Sequence, residues 1–212
     1  MRSRLRHRAF HSARSVAQAL AVLGGCALAA LQAPAQAQQP VKLSAVVTAF
    51  LPDAGVQTRG LPWSTGDQLP VRWQSAKPVA SADYLKQQGF TLSRTGNIRV
   101  LLDGGKAQAA ILQVAGNQLG VQQVTVSWNV LSGPFDGAAR SLEADGISLK
   151  PLKCRRETEG ASFGNLVHIA SAKGKTATGL WENWNCAHDG CWFALTILYR
   201  RSALAKIDCA GG

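Results

Sequence analysis

Three features of this 212-residue sequence predict an α+β fold, an antiparallel sheet with short helices packed on one face. Two short segments with helical patterning, 82–88 and 138–145, each stop at a glycine, where a helix C-terminus places one. Each is followed by short apolar runs with the period-two alternation of half-buried strands. The second stretch also repeats landmarks of the first at a constant offset of 57 residues: Leu85, Gly89, Phe90 and Leu92 match Leu142, Gly146, Ile147 and Leu149. The chain therefore reads as a tandem repeat of a helix-plus-four-strand unit, and a helix laid across one face of an antiparallel meander is the packing both copies imply.

At 46% hydrophobic and 17% charged residues, the composition excludes an extended disordered chain and a multi-spanning membrane protein. The formal charge of +11 is uneven, with five arginines and no acid in the first fourteen residues. That basic region, the apolar stretch Val16 to Leu31 and the small-x-small pattern Ala35-Gln36-Ala37 form a secretory signal over residues 1–37. The apolar run is shorter than the roughly 20 residues a helix needs to cross a bilayer. Cleavage after Ala37 lowers the net charge to +6 and delivers the chain to the periplasm or exterior. An alternative start at Cys26, in Leu23-Gly24-Gly25-Cys26, has the shape of a lipoprotein box; lipidation there is the one route to a membrane.

Residues 38–80 form an N-terminal strand and loop segment: one element in Val41 to Leu51, then Gly- and Pro-punctuated chain with a short edge strand at Leu69 to Trp73. Trp63 and Trp73 are expected to cover a core edge. The first repeat, 81–130, has Ser81 as helix N-cap, a hairpin turn at Arg94-Thr95-Gly96-Asn97 between Phe90–Leu92 and Ile98–Leu102, and strands at Ala109–Val114 and Val121–Val130. The second repeat, 131–212, has a helix at Ala138–Asp145, a strand opening at Ile147, a longer loop from Arg155 to Ser162, and strands at Asn165–Ala170, Thr178–Asn185 and Trp192–Arg200.

Export to an oxidising compartment makes disulfides the default state of Cys154, Cys186, Cys191 and Cys209. A four-residue hairpin loop brings Cys186 and Cys191 within disulfide range, which leaves Cys154 with Cys209. Period-two alternation then sets Trp184 opposite Phe193 and Glu182 opposite Leu195, with Trp181, Asn183 and Trp192 on the other face.

The chemistry of the chain is densest here. The closed loop Cys186-Ala187-His188-Asp189-Gly190-Cys191 presents His188 and Asp189 with its ordering entropy already spent, and Trp184 and Trp192 supply aromatic area for a partner. Ala187, His188, Asp189, Gly190, Trp184 and Trp192 are thus the candidate partner-binding residues. A Cys-x4-Cys loop holding His-Asp on an exported α+β domain resembles the inhibitory loop of the Ivy-type lysozyme inhibitors. The resemblance covers Cys186 to Cys191; Ala187 stands where that family has proline, and Gly190 separates Asp189 from Cys191. It implies a loop that inserts into the cleft of a lysozyme.

Other chemistries find weaker footing. Cys186, His188, Cys191 and His168 lack the paired spacing of a zinc site, and the thiols are expected oxidised, so no metal is expected. There is no nucleophile elbow, dinucleotide fingerprint or phosphate loop, so neither catalytic residues nor a cofactor are assigned; His188 with Asp189 as base and orienter would be the hydrolase alternative. Glu157 and Glu159 read as solvated and His168 as a mid-strand structural residue. The pairs Arg155-Arg156 and Arg200-Arg201, with Lys150 and Lys153, form a cationic surface without a nucleic-acid motif. The expected function is an exported, non-enzymatic binding protein whose partner is a protein or glycan of the cell envelope, not nucleic acid. A structural envelope protein binding anionic components through the basic face is the rival.

Overall fold

The computed structural model describes residues 38–54, 60–102, 105–130, 137–153, 163–176, 179–187 and 190–207. The expected signal segment 1–37 with Cys26, the expected loop 155–162 with Glu157 and Glu159, His188, Asp189, Cys154 and Cys209 lie outside them. All described residues belong to one compact unit. In chain order the elements are β1 (Val41–Lys42), α1 (Leu43–Ala49), β2 (Arg72–Trp73), β3 (Val79–Ala80), α2 (Asp83–Gln87), β4 (Leu92–Leu101), β5 (Ala107–Asn117) and β6 (Gly120–Val130). There follow α3 (Gly137–Ala144), β7 (Ser148–Lys153), β8 (Phe163–Ala172), β9 (Lys175–Thr176), β10 (Gly179–Ala187), β11 (Gly190–Leu198) and α4 (Arg201–Ala205).

Among the described residues the protein is mostly β-sheet with four short α-helices. One open sheet runs in the order β1-β4-β5-β6-β11-β10-β8-β7, with β2 and β3 also on β4 and β9 on β8. Two meanders meet where β6 pairs antiparallel with β11. The sheet is mixed, contrary to the antiparallel expectation, because Val41 and Lys42 run parallel to Val100 and Leu101. The apolar run Val41 to Leu51 is mostly helix: Leu43, Val46, Val47 and Phe50 recur at helical spacing, and all four are buried.

The expected turn at Arg94 to Asn97 is the interior of a single ten-residue strand, β4. Gly96 is there for packing. A Cβ on it would sit 2.5 Å from Val71 Cγ1 and 3.0 Å from Trp73 Cε3, so its bare backbone admits the N-terminal segment onto the sheet. Arg94 pins the same segment, stacking 4.1 Å over the Trp73 ring and donating to Asp67 Oδ1 at 2.6 Å and the Ser75 carbonyl at 3.1 Å. The expected edge strand at Leu69 to Trp73 shortens to β2, paired with Asn97 and Gly96.

The two helix-to-strand junctions are alike. Gly89 and Gly146 take φ of +92° and +85°. Phe90 N donates to the Leu85 carbonyl and Ile147 N to the Leu142 carbonyl, each at 3.0 Å, while Gly89 and Gly146 donate to Lys86 and Glu143. These are Schellman caps, each with its apolar contact across the turn. Ser81 is buried but makes no side-chain cap; Ala82 occupies the N-cap position.

The helices do not share one face. α1 and α3 lie on the core face with Leu43, Val47 and Leu142, linked by Asp145, which accepts from Lys42 Nζ at 2.6 Å and Ser44 Oγ at 2.7 Å. On the other face Leu85 of α2 packs with Phe90 and Ala115, while Ala203 and Leu204 of α4 and Ile207 after it pack with Val167 and Leu198. The reason is parity: Ala115, Val167 and Leu198 fall on the strand positions opposite those that face the main core.

Candidate functional site: the open face of the sheet

Alternation along six neighbouring strands builds two faces of opposite chemistry. On the core face, one cross-strand row runs Ile98, Ala110, Trp128, Phe193, Trp184, Gly164. Trp128 stacks on Phe193 at 4.7 Å and Trp184 lies 6.5 Å from Phe193. Trp184 is accommodated because its neighbour is glycine: a Cβ on Gly164 would come 1.9 Å from Trp184 Cζ2.

One residue along each strand, the open face carries the row Asn97, Ile111, Ser127, Ala194, Asn183, Asn165. Beside it runs Thr95, Gln113, Thr125, Thr196, Trp181, Val167. At about 4.8 Å between strands, each row spans about 24 Å. Neutral groups that both donate and accept dominate these rows. Several are held in place by one another: Asn165 Oδ1 accepts from Trp181 Nε1 at 2.9 Å and Asn183 Nδ2 at 2.7 Å. Thr125 and Thr196 share a hydrogen bond at 3.0 Å, and Gln113 Nε2 donates to the Tyr84 hydroxyl.

α2 and α4 stand on this face as walls, and between them lies a groove of about 900 Å³. A smaller recess of about 290 Å³ adjoins it, sharing Ile111, Ser127 and Trp192 and reaching Arg99 and Asn129. Of the six large hydrophobic residues that stand exposed among the described residues, three line the groove: Tyr84 at 51%, Ile111 at 48% and Trp192 at 44%. Half of the large exposed hydrophobic side chains described thus gather in one concavity, the kind of feature that singles out a candidate binding surface. Among its described lining residues there is no carboxylate, imidazole or thiol, while Arg200 and Lys206 border one end and Arg99 the recess at the other.

The candidate residues of the hairpin separate along the same two faces. Cys186 and Cys191 are disulfide-bonded and directly opposed, with Cα atoms 4.0 Å apart. Ala187 pairs with Gly190, whose φ of +139° suits glycine at the hairpin end. Trp192 points into the groove and is available to a ligand. Trp184 is corrected: at 4% exposure it belongs to the core row, since its even parity sets it on the face covered by α1 and α3, and it offers no partner contact area.

Glu182 shares the core face, fully buried between Leu195 and Leu166, with its Oε1 3.7 Å from His168 Nε2. Burial pushes the His168 imidazole below its usual range, with Glu143 pulling the other way. No group of three or more His, Cys, Asp or Glu converges as a metal site among the described residues.

Sequence reasoning found the face assignment of Trp181, Asn183 and Trp192 but not the groove. The available signal was the kind of polar residue: Gln123, Thr125, Ser127, Asn183 and Thr196 occupy the strand positions of the open face without one charge among them. Comparison with protein-family models, with curated proteins and with solved structures returns no match to this chain.

Proposed function

We propose that this chain is an exported, non-enzymatic binding protein whose ligand lies in the groove on the open face of the sheet. The observation that carries the reading is the groove itself, where uncharged amides and hydroxyls stand across five strands beside exposed Trp192. Such a surface binds with little loss of side-chain entropy, because Asn165, Asn183, Thr125 and Thr196 are already tethered. The lack of carboxylate, imidazole or thiol among its described lining residues favours binding over general acid-base chemistry. Export rests on the leader pattern of residues 1–37 and accords with the Cys186–Cys191 disulfide.

The same reading takes the two matched Schellman junctions as marks of a duplicated helix-plus-meander unit, with three strands after α2 and five after α3. Hydrogen exchange in the presence of envelope extract, fractionated into protein and glycan pools, tests the site. Protection of β6, β10 and β11 together with Tyr84 is expected; protection elsewhere overturns the groove as the site.

A second reading is favoured by the disulfide-closed hairpin: the 186–191 loop enters a partner's cleft in the manner of a lysozyme inhibitor. His188→Ala with Asp189→Ala abolishes inhibition across a lysozyme panel on this reading. Absence of inhibition by the unaltered protein discards it.

A further inference from the structure

We infer that the groove takes an acidic glycan, its sugar rings lying on the uncharged rows of the open face and its anionic groups meeting Arg200 and Lys206. This rests on the reading of the groove as the ligand site.

Charge selects the sign of the ligand. Arg200 and Lys206 at one end and Arg99 in the recess at the other face no carboxylate among the described lining residues, so the concavity attracts anions. The middle selects its kind. From Trp192 to Leu198 the groove follows β11 for about 20 Å, lined by neutral groups such as Gln113, Thr125, Ser127 and Asn183. Ring hydroxyls donate and accept at every carbon that bears one, which matches side chains that do the same.

A nucleic-acid strand presents acceptors and a charge at every repeat and calls for cations along its whole path. Here, among the described lining residues, the cations stand at the ends. A peptide that binds as an added strand gains most of its affinity from main-chain bonds to a free strand edge, and this groove lies on the face of five paired strands. The exposed aromatics complete the match. Trp192 and Tyr84 offer flat apolar faces with a polar atom at the rim, suited to the C–H face of a pyranose ring.

Calorimetry on the full-length protein tests this with a panel of uronic-acid oligosaccharides, their carboxyl-reduced neutral counterparts, a single-stranded oligothymidine and anionic phospholipid vesicles. An acidic oligosaccharide is expected to bind about tenfold or more tightly than its neutral counterpart, with affinity falling as salt rises. Arg200→Ser with Lys206→Ser should erase that difference while sparing the neutral sugar, and Trp192→Ala should weaken both. All three positions are exposed, and an unchanged melting temperature verifies the folds.

Equal affinity for acidic and neutral sugars overturns the acidic assignment and leaves the groove as a glycan site. Tighter binding of the oligothymidine or the vesicles, or capture of a protein through Trp192 with no sugar bound, overturns the glycan and leaves the groove. Indifference of every ligand found to Trp192→Ala overturns groove and glycan together.

Discussion

The two faces of one sheet are cut from the same strands, yet they differ in what each residue is for. On the core face Trp184 nests over Gly164 and stacks toward Phe193. A few ångströms along the same hairpin, Trp192 stands half in solvent between the main groove and its recess. Both are tryptophans beside one disulfide, so composition cannot separate them; strand parity does. Aromatic richness around a loop is thus a sum of two signals, one structural and one available to a ligand.

Substitutions at these residues sharpen the contrast. The largest effect is expected from Trp184→Ala, which removes a buried ring from the core row and should cost about 3–5 kcal/mol in urea unfolding. If Trp184→Ala unfolds no more easily than Trp192→Ala, the division into core and open faces fails. Replacing Cys186 and Cys191 together by serine should cost about 2 kcal/mol, the chain-entropy value for so short a loop. Both cysteines share the parity of Trp184 and Phe193, so that substitution acts on the core face at the end of the hairpin.

A pH series isolates the core face. The unfolded His168 titrates near 6.5, while in the fold burial holds its pKa lower, so the unfolded chain takes up the proton first. The stability it contributes is full above that value and is lost as pH falls through it. His168→Gln should flatten this part of the unfolding-midpoint profile; an unchanged profile assigns the slope to other groups. Smallest is the expected stability change for Trp192→Ala, within about 0.5 kcal/mol, although ligand binding should fall sharply.

What could be read in advance followed local rules. The register of β10 against β11 was legible because a Cys-x4-Cys spacing and alternation together admit one pairing, and the helix ends because Gly89 and Gly146 need positive φ. Gly96 misled, since a glycine beside asparagine reads as a turn until Val71 and Trp73, more than twenty residues upstream, are seen packing on it. The groove was not legible, although its residues were. It arises from the strand order that places β11 between β6 and β10, and from α2 and α4 sharing a face, neither of which any local pattern encodes.

The borders of the open sheet explain how so wide a surface avoids growing. Along β4, the outer strand of its meander, three short pieces, β1, β2 and β3, divide the hydrogen-bonding edge into fragments, none longer than two residues. At the far border β7 carries Pro151, which has no amide hydrogen to offer, and an irregular step before Lys153. A newcomer strand therefore meets an interrupted ladder on either flank, the pattern that protects natural sheets against edge-to-edge aggregation. A sheet built on this plan can expose a broad face and still resist growth strand by strand.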